Sequence, residues 1–297
     1  MKTTRHWSVS CTVCLLAVFA LAAAPGAQEA SPANGPGAPN AEKLGWRVGC
    51  QAYSFNRFTF FEAVDKVASM GLKVIEAYPG QALSPDQPDV KIGPDMSDEA
   101  KALVKAKLAE AGVALVAFGV TGLPNDEAAC RKTFDFAKEM GIEVITSEPP
   151  PEAFDLIDKL CQEYDISVAI HNHPKPSRYW NPDKVLDVCE GRSKYIGACA
   201  DTGHWMRSGV NPIEALQKLE GRIVSFHFKD LNKFGAGAHD VPWGTGEGDV
   251  DGMLAEVKRQ GIKAVFSAEY EHNWENSVPE IAQGVAYFDQ VAAKLAK

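Results

Sequence analysis

Eight times in succession the chain sets a short apolar run before a stretch whose apolar residues recur at helical spacing, and that rhythm restricts the folds open to it. The runs are RVGCQAYSF, VIEAY, ALVAFGV, EVITSE, ISVAIHNH, IGACADTGHW, IVSFHFKD and AVFSAEYE. Helical stretches follow them, from FEAVDKVASMG to VPEIAQGVAYFDQVAAKLA. Ser97 is expected to open one helix, Asn125 the next and Asp249 a later one. Six stretches end at a glycine (Gly71, Gly112, Gly141, Gly191, Gly221 and Gly261), and most of these are followed within a few residues by the next run. A left-handed stop feeding a short loop explains that placement. The runs lack polar alternation, as strands do when both faces are covered. Eight strand–helix units in one domain predict a closed (β/α)8 TIM barrel. A doubly wound open sheet is the alternative, weakened because no GxGxxG follows the first run.

The N-terminus reads differently. Lys2, Arg5 and His6 precede the apolar CTVCLLAVFALAAA and the small-residue segment PGAQEA. This is the pattern of a cleaved signal peptide over 1–27, too short and wrongly flanked to be a spanning helix. Residues 28–44, rich in Pro, Gly, Ala and Asn, read as a flexible leader. Residues 45–297 then form one barrel domain with a sizeable core, expected to be periplasmic or secreted. No later stretch suggests a membrane anchor. The net charge of −9 and the lack of a basic stripe disfavour nucleic acid as a partner. Cys50, Cys130, Cys161, Cys189 and Cys199 show no CxxC spacing and read as buried small hydrophobes, with a single bridge left open.

A parallel barrel carries the C-termini of all its strands to one face. There the late runs place His171 and His173, Asp201 and His204, His227, and Glu269. Imidazoles and carboxylates converging on one point suit a divalent cation. Asp201, His227 and Glu269 are the expected ligands, against the plainer readings of a helix cap, a core histidine and a rim carboxylate. A fourth ligand is sought among Glu148, His171 and His173. Gly203 is expected to turn the chain sharply after Asp201. His227, between Phe226 and Phe228, points opposite to both along a strand. A carboxylate at Glu269 is costly to bury without a cation or donor. Lys229 faces the same way as His227 and could stabilise a developing enolate or alkoxide; otherwise it is a rim lysine. Trp180, Trp205, Trp243 and Trp274 fall in expected strand–helix loops, where aromatic rings stack on sugars or simply pack the loops. The glycines of VPWGTGEGDVD serve either a phosphate held on backbone N–H groups or a tight loop over the barrel.

Taken together, ADTGHW, SFHFKD, GTGEGDVD and FSAEYE resemble the sugar phosphate isomerase/epimerase-like group of xylose isomerase-type TIM barrels, over nearly the whole chain from Arg47. The resemblance implies a divalent metal, Mn²⁺ first with Co²⁺, Zn²⁺ or Mg²⁺ as alternatives. It implies that Asp201, His227 and Glu269 are the last three of four ligands and that His204 contacts substrate. The chain departs from the epimerases where they carry a glutamate at the end of the fifth strand: His171 stands there, with Glu148 on the fourth strand available to replace the lost carboxylate.

The expected activity is proton abstraction next to the carbonyl of a keto-sugar or keto-glycoside, leading to epimerisation, isomerisation or β-elimination. The metal set is drawn from Glu148, His171, Asp201, His227 and Glu269. Catalytic roles fall to Glu148, Glu269, His204 and Lys229, with Glu148 or Glu269 as base. Substrate contacts fall to His173, His204, Trp205, Lys229 and Trp243. The partners are a small sugar and, at most, further copies of the chain. The alternatives are a non-catalytic sugar-binding barrel, a metal-free hydrolase using Glu148 and Glu269, and a metal-dependent phosphodiesterase of the endonuclease IV kind, which the acidic charge opposes.

Overall fold

The structure is a computed structural model that describes Met1, Lys2, Thr4 and residues 35–297. Apart from Met1, Lys2 and Thr4, the expected signal peptide lies outside the described residues. Of the expected leader, residues 35–44 are described, and Pro39–Lys43 is a short helix. Asn40 explains why this part is ordered: its backbone N–H and side-chain amide both donate to Asp289, each at 2.7 Å. The expected leader thus includes, among its described residues, the helix Pro39–Lys43.

Eight parallel strands close into a barrel. They are β1 Arg47–Gln51, β2 Val74–Ala77, β3 Ala114–Thr121, β4 Val144–Ser147, β5 Ser167–His171, β6 Ile196–Asp201, β7 Ile223–Phe228 and β8 Val265–Ala268. Neighbours follow chain order, and β1 closes the ring on β8 through Arg47 to Cys50 opposite Val265 to Ala268. The eight predicted strands are these eight.

Helices cover the outside, each begun and ended by local chemistry. Thr59 and Glu62 form a capping box at Phe60–Ser69. Ser97 caps Asp98–Ala111. Asp126, one residue after the expected Asn125, caps Glu127–Met140 because its carboxylate reaches the Ala129 N–H. All six stop glycines have φ between 65° and 77°, the left-handed conformation their placement implied. Two short hairpins went unread in the sequence: Ala82–Ser84 with Gln87–Lys91, and Asp230–Leu231 with Asp240–Val241. Their strands are too short for periodicity to register.

The main core lies between strands and helices. Phe226 and Phe228 of β7 point outward onto Phe266 and Phe288, the first stacked on Phe266 at 4.3 Å between ring centroids. Burying such a ring contributes about 2–3 kcal/mol. Outward phenylalanines force the residue between them, His227, into the barrel. The five cysteines among the described residues are free and buried. No helix of the described residues is long and apolar enough to cross a membrane.

Candidate metal centre

His171 is the last residue of β5, Asp201 the last of β6, His227 the last but one of β7, and Glu269 follows β8 directly. All four are buried, and each offers one donor atom within 4.8 Å of the others. Strands distant in sequence thus deliver two imidazoles and two carboxylates to one end of the barrel.

Each imidazole is oriented by a carboxylate behind it. His171 Nδ1 lies 3.1 Å from Glu148 Oε1, which has only lone pairs to offer, so Nδ1 carries the proton. Its Nε2, 3.4 Å from Asp201 Oδ2, is buried without a hydrogen-bond partner. His227 donates from Nε2 to Glu76 Oε1 at 3.0 Å, and its Nδ1, 3.1 Å from Glu269 Oε2, is likewise without a partner. Two orphaned imidazole nitrogens facing two carboxylates form a donor set of the kind that Mn²⁺, Co²⁺ or Zn²⁺ accepts. The residues therefore fit a divalent ion.

Lys229 lies at the same place. Its ammonium donates to Asp201 Oδ2 at 2.5 Å and to Glu269 Oε2, and it lies 3.6 Å from Glu271. Burial lowers its pKa, but Asp201, Glu269 and Glu271 outweigh that and hold it well above the usual lysine value. Burial likewise raises the Asp201 carboxyl, yet His204, Lys229 and His171 keep it well below the usual range. For Glu269, burial is outweighed by Lys229 and His227 in the same direction. Lys229 therefore lies against the candidate donor set, and its burial excludes a rim lysine. Gly203 makes the room: a Cβ there would lie 2.7 Å from Lys229 Cβ. Its role is this close approach, inside the helix Thr202–Arg207, and not a sharp turn.

Asp201 combines two of its readings. Oδ1 caps that helix by accepting the His204 N–H at 2.7 Å, while Oδ2 faces the cluster. His204 is buried, and Arg207 donates to its Nδ1 at 2.9 Å, which leaves the N–H on Nε2, 3.6 Å from Asp201 Oδ2. Burial, opposed by Asp201, keeps this ring's pKa well below the usual value. His204 is accordingly a neutral N–H donor. Asp240 and Glu271 hold Arg207 in turn, at 2.6 and 2.5 Å, and burial pushes the Asp240 carboxyl up to about 7.

Two expectations differ from the structure, and of the two readings of the glycine loop the tight loop fits. Glu148 is not one of the four convergent donors; it stands behind His171 and His173, accepting from the His173 ring at 2.5 Å. Its Oε1 is taken up by the rings of His171 and His173. Trp205 and Trp243, expected on substrate, are 1% and 4% exposed. Trp243 packs on Phe228 and Phe288 and donates to the Phe228 carbonyl, while Trp205 is buried in the core from the helix Thr202–Arg207. In the glycine loop, Gly244, Gly246 and Gly248 all donate N–H groups to Asp230 at 2.9 Å. An internal carboxylate takes the donors that a phosphate would need. His173 lies beside His171 with 49% of its side chain exposed.

Glu76 was missed altogether. It is a carboxylate inside the apolar run VIEAY, the same signal that singled out Glu269. Arg207, Asp240 and Glu271 carried no signal, because only the folded loops bring them together.

A closed parallel barrel with a buried His, Asp, His and Glu set at its C-terminal face is the architecture of a metal-assisted enzyme. Residues 64–291 match the family model of the xylose isomerase-like TIM barrel. The chain belongs to that family, whose members are sugar isomerase-, epimerase- and dehydratase-like enzymes. It is 28% identical over 137 residues to an inosose dehydratase of Clostridium tetani (strain Massachusetts / E88), a match covering 40% of this chain and 41% of that protein. The chain spans about half or less of the length of the curated relatives it matches. Among solved structures, an uncharacterized protein from Parabacteroides distasonis ATCC 8503 is 34% identical, with a TM-score of 0.68 over 83% of this chain and 99% of that one. A D-tagatose 3-epimerase-like protein shares the fold at 17% identity, with a TM-score of 0.64 over 84% of this chain and 98% of that one.

Proposed function

We propose that this protein moves a proton on the carbon next to the carbonyl of a keto-sugar or keto-glycoside, with one divalent ion, Mn²⁺ first among candidates, held by His171, Asp201, His227 and Glu269. The observation that carries the reading is the pair of buried, unpartnered imidazole nitrogens facing two carboxylates beside an exposed histidine. A bound divalent ion supplies Lewis-acid polarisation of a carbonyl. The chain's own groups do the rest. Lys229 and the Nε2–H of His204 donate hydrogen bonds to substrate oxygens as charge develops on them. Glu148 orients His173, whose half-exposed ring can take or return a proton. Glu269, which accepts from Lys229 and faces His227 Nδ1, is a weak base and serves as a ligand. Similarity to inosose dehydratases supports an elimination as the outcome, with epimerisation and isomerisation distinguished from it by product. The signal pattern of residues 1–27 supports export, which N-terminal sequencing of the mature protein tests.

The deciding experiment offers the purified protein a panel of keto-sugars and keto-glycosides in D₂O, with Mn²⁺ and with chelator. Deuterium entering the carbon next to the carbonyl only when metal is present is the expected result. Exchange unaffected by chelator, or none with any member of the panel, sinks the reading. Several Zn²⁺ ions per chain by elemental analysis would favour a phosphodiesterase instead.

A further inference from the structure

Glu76 contributes to no step described so far, yet it is a fully buried carboxylate in the barrel interior. It lies on β2, separated around the barrel from the β7 of His227 by β1 and β8, so the contact between them crosses the interior. Three strands converge on it. Thr146 of β4 donates to Oε1 and Ser267 of β8 to Oε2, each at 2.7 Å, and His227 Nε2 donates to Oε1 at 3.0 Å. Packing alone does not explain this residue, because a buried ionised group is costly and an apolar side chain fills the same space more cheaply. The hydroxyls present their hydrogens to both oxygens and keep the carboxylate an acceptor toward His227. With Nε2 committed as a donor, the lone pair of the neutral ring resides on Nδ1, the buried nitrogen that faces Glu269 and lacks a partner.

We infer that Glu76 is the positioning residue of the metal centre: it fixes the tautomer and ring angle of His227 from outside the donor set and so sets the affinity for the ion. The inference rests on the metal reading above. Outer partners of this kind are worth ten- to a hundredfold in metal affinity.

The test measures Mn²⁺ and Co²⁺ dissociation constants by chelator competition on the full chain, together with the visible spectrum of the Co²⁺ form and the melting temperature. It compares wild type, Glu76→Gln, Glu76→Asp and Ser267→Ala. Glu76→Gln, which keeps shape and a weaker acceptor, is expected to bind about tenfold more weakly. Glu76→Asp keeps the charge but falls short of His227, and is expected near a hundredfold with an altered Co²⁺ spectrum. Ser267→Ala, which removes one hydroxyl but leaves the His227 contact, is expected to lie nearest to wild type. A purely structural role would move melting temperatures and leave dissociation constants and spectrum alone; folded Glu76 variants with wild-type affinity overturn the inference. Wild-type protein that binds neither ion overturns the metal reading and this inference with it, and the wild-type arm separates the two failures.

Discussion

The two histidines of the cluster are held by carboxylates in opposite surroundings. Glu76 behind His227 is sealed in the barrel and satisfied by two hydroxyls. Glu148 behind His171 sits near the mouth and shares its oxygen with the half-exposed His173. Burial pushes the Glu148 carboxyl up, but the two imidazoles outweigh it and keep it well below the usual range. The same residue pair thus does different work. Inside, it fixes geometry, because nothing can exchange with solvent. At the mouth, it leaves one imidazole free to meet a substrate. The candidate centre thus has a sealed inner side and an accessible outer side.

The sharpest way to break that division is His227→Ala, which is expected to lose bound metal and essentially all activity together; full activity in a metal-free variant would end the scheme. Next is the outer side. His173→Ala is expected to lower kcat by about 10²–10⁴-fold while leaving the Mn²⁺ dissociation constant within about twofold, since its ring is not among the four donors. Equal losses of metal and turnover would erase the difference between the two sides.

Lys229→Met is a third probe. It leaves Asp201 and Glu269 facing one another without the ammonium, so chelator-treated protein should lose about 3–5 kcal/mol of stability in denaturant titration, and Mn²⁺ should restore much of it. An unchanged midpoint would mean the lysine contributes nothing to holding the carboxylates. Phe228→Ala, outside the barrel, should cost about 3–5 kcal/mol without changing metal affinity, and a shift in affinity would show that the centre is coupled to the outer core.

The smallest expected effect is on pH. Burial lowers the pKa of His171, but Asp201 and Glu148 outweigh it and raise it to about 9. A folded pKa above the unfolded value means its stabilisation is fully present below about 6.5 and is lost as pH rises through about 9. The melting temperature of metal-free protein should fall across that window. Metal should flatten the fall, because ligation requires the neutral ring. A rise across the window would contradict the ion-pair surroundings of His171.

Much of this was legible because strand ends obey local rules. Apolar runs, stop glycines and caps are set by neighbouring residues, so eight strands, six left-handed stops and the inward side of His227 could be read directly. Asp201, His227 and Glu269 followed because a parallel barrel sends strand ends to one place. Trp205 and Trp243 misled because a tryptophan after a strand end looks the same in sequence whether it faces a ligand or plugs the core beneath it. The ordered Pro39–Lys43 helix was hidden because its anchor, Asp289, is about 250 residues away.

What the chain's own pattern determined is the barrel and the face at which its ionisable residues gather, since periodicity and turn chemistry act over a few residues. Only the tertiary structure decided that His171 and not Glu148 joins the donor set, that Lys229 lies between the carboxylates, and that Glu76 reaches across the interior to His227. The first two depend on side-chain reach between neighbouring strand ends and the third on reach across the interior from β2 to β7, and neither periodicity nor turn chemistry encodes that reach.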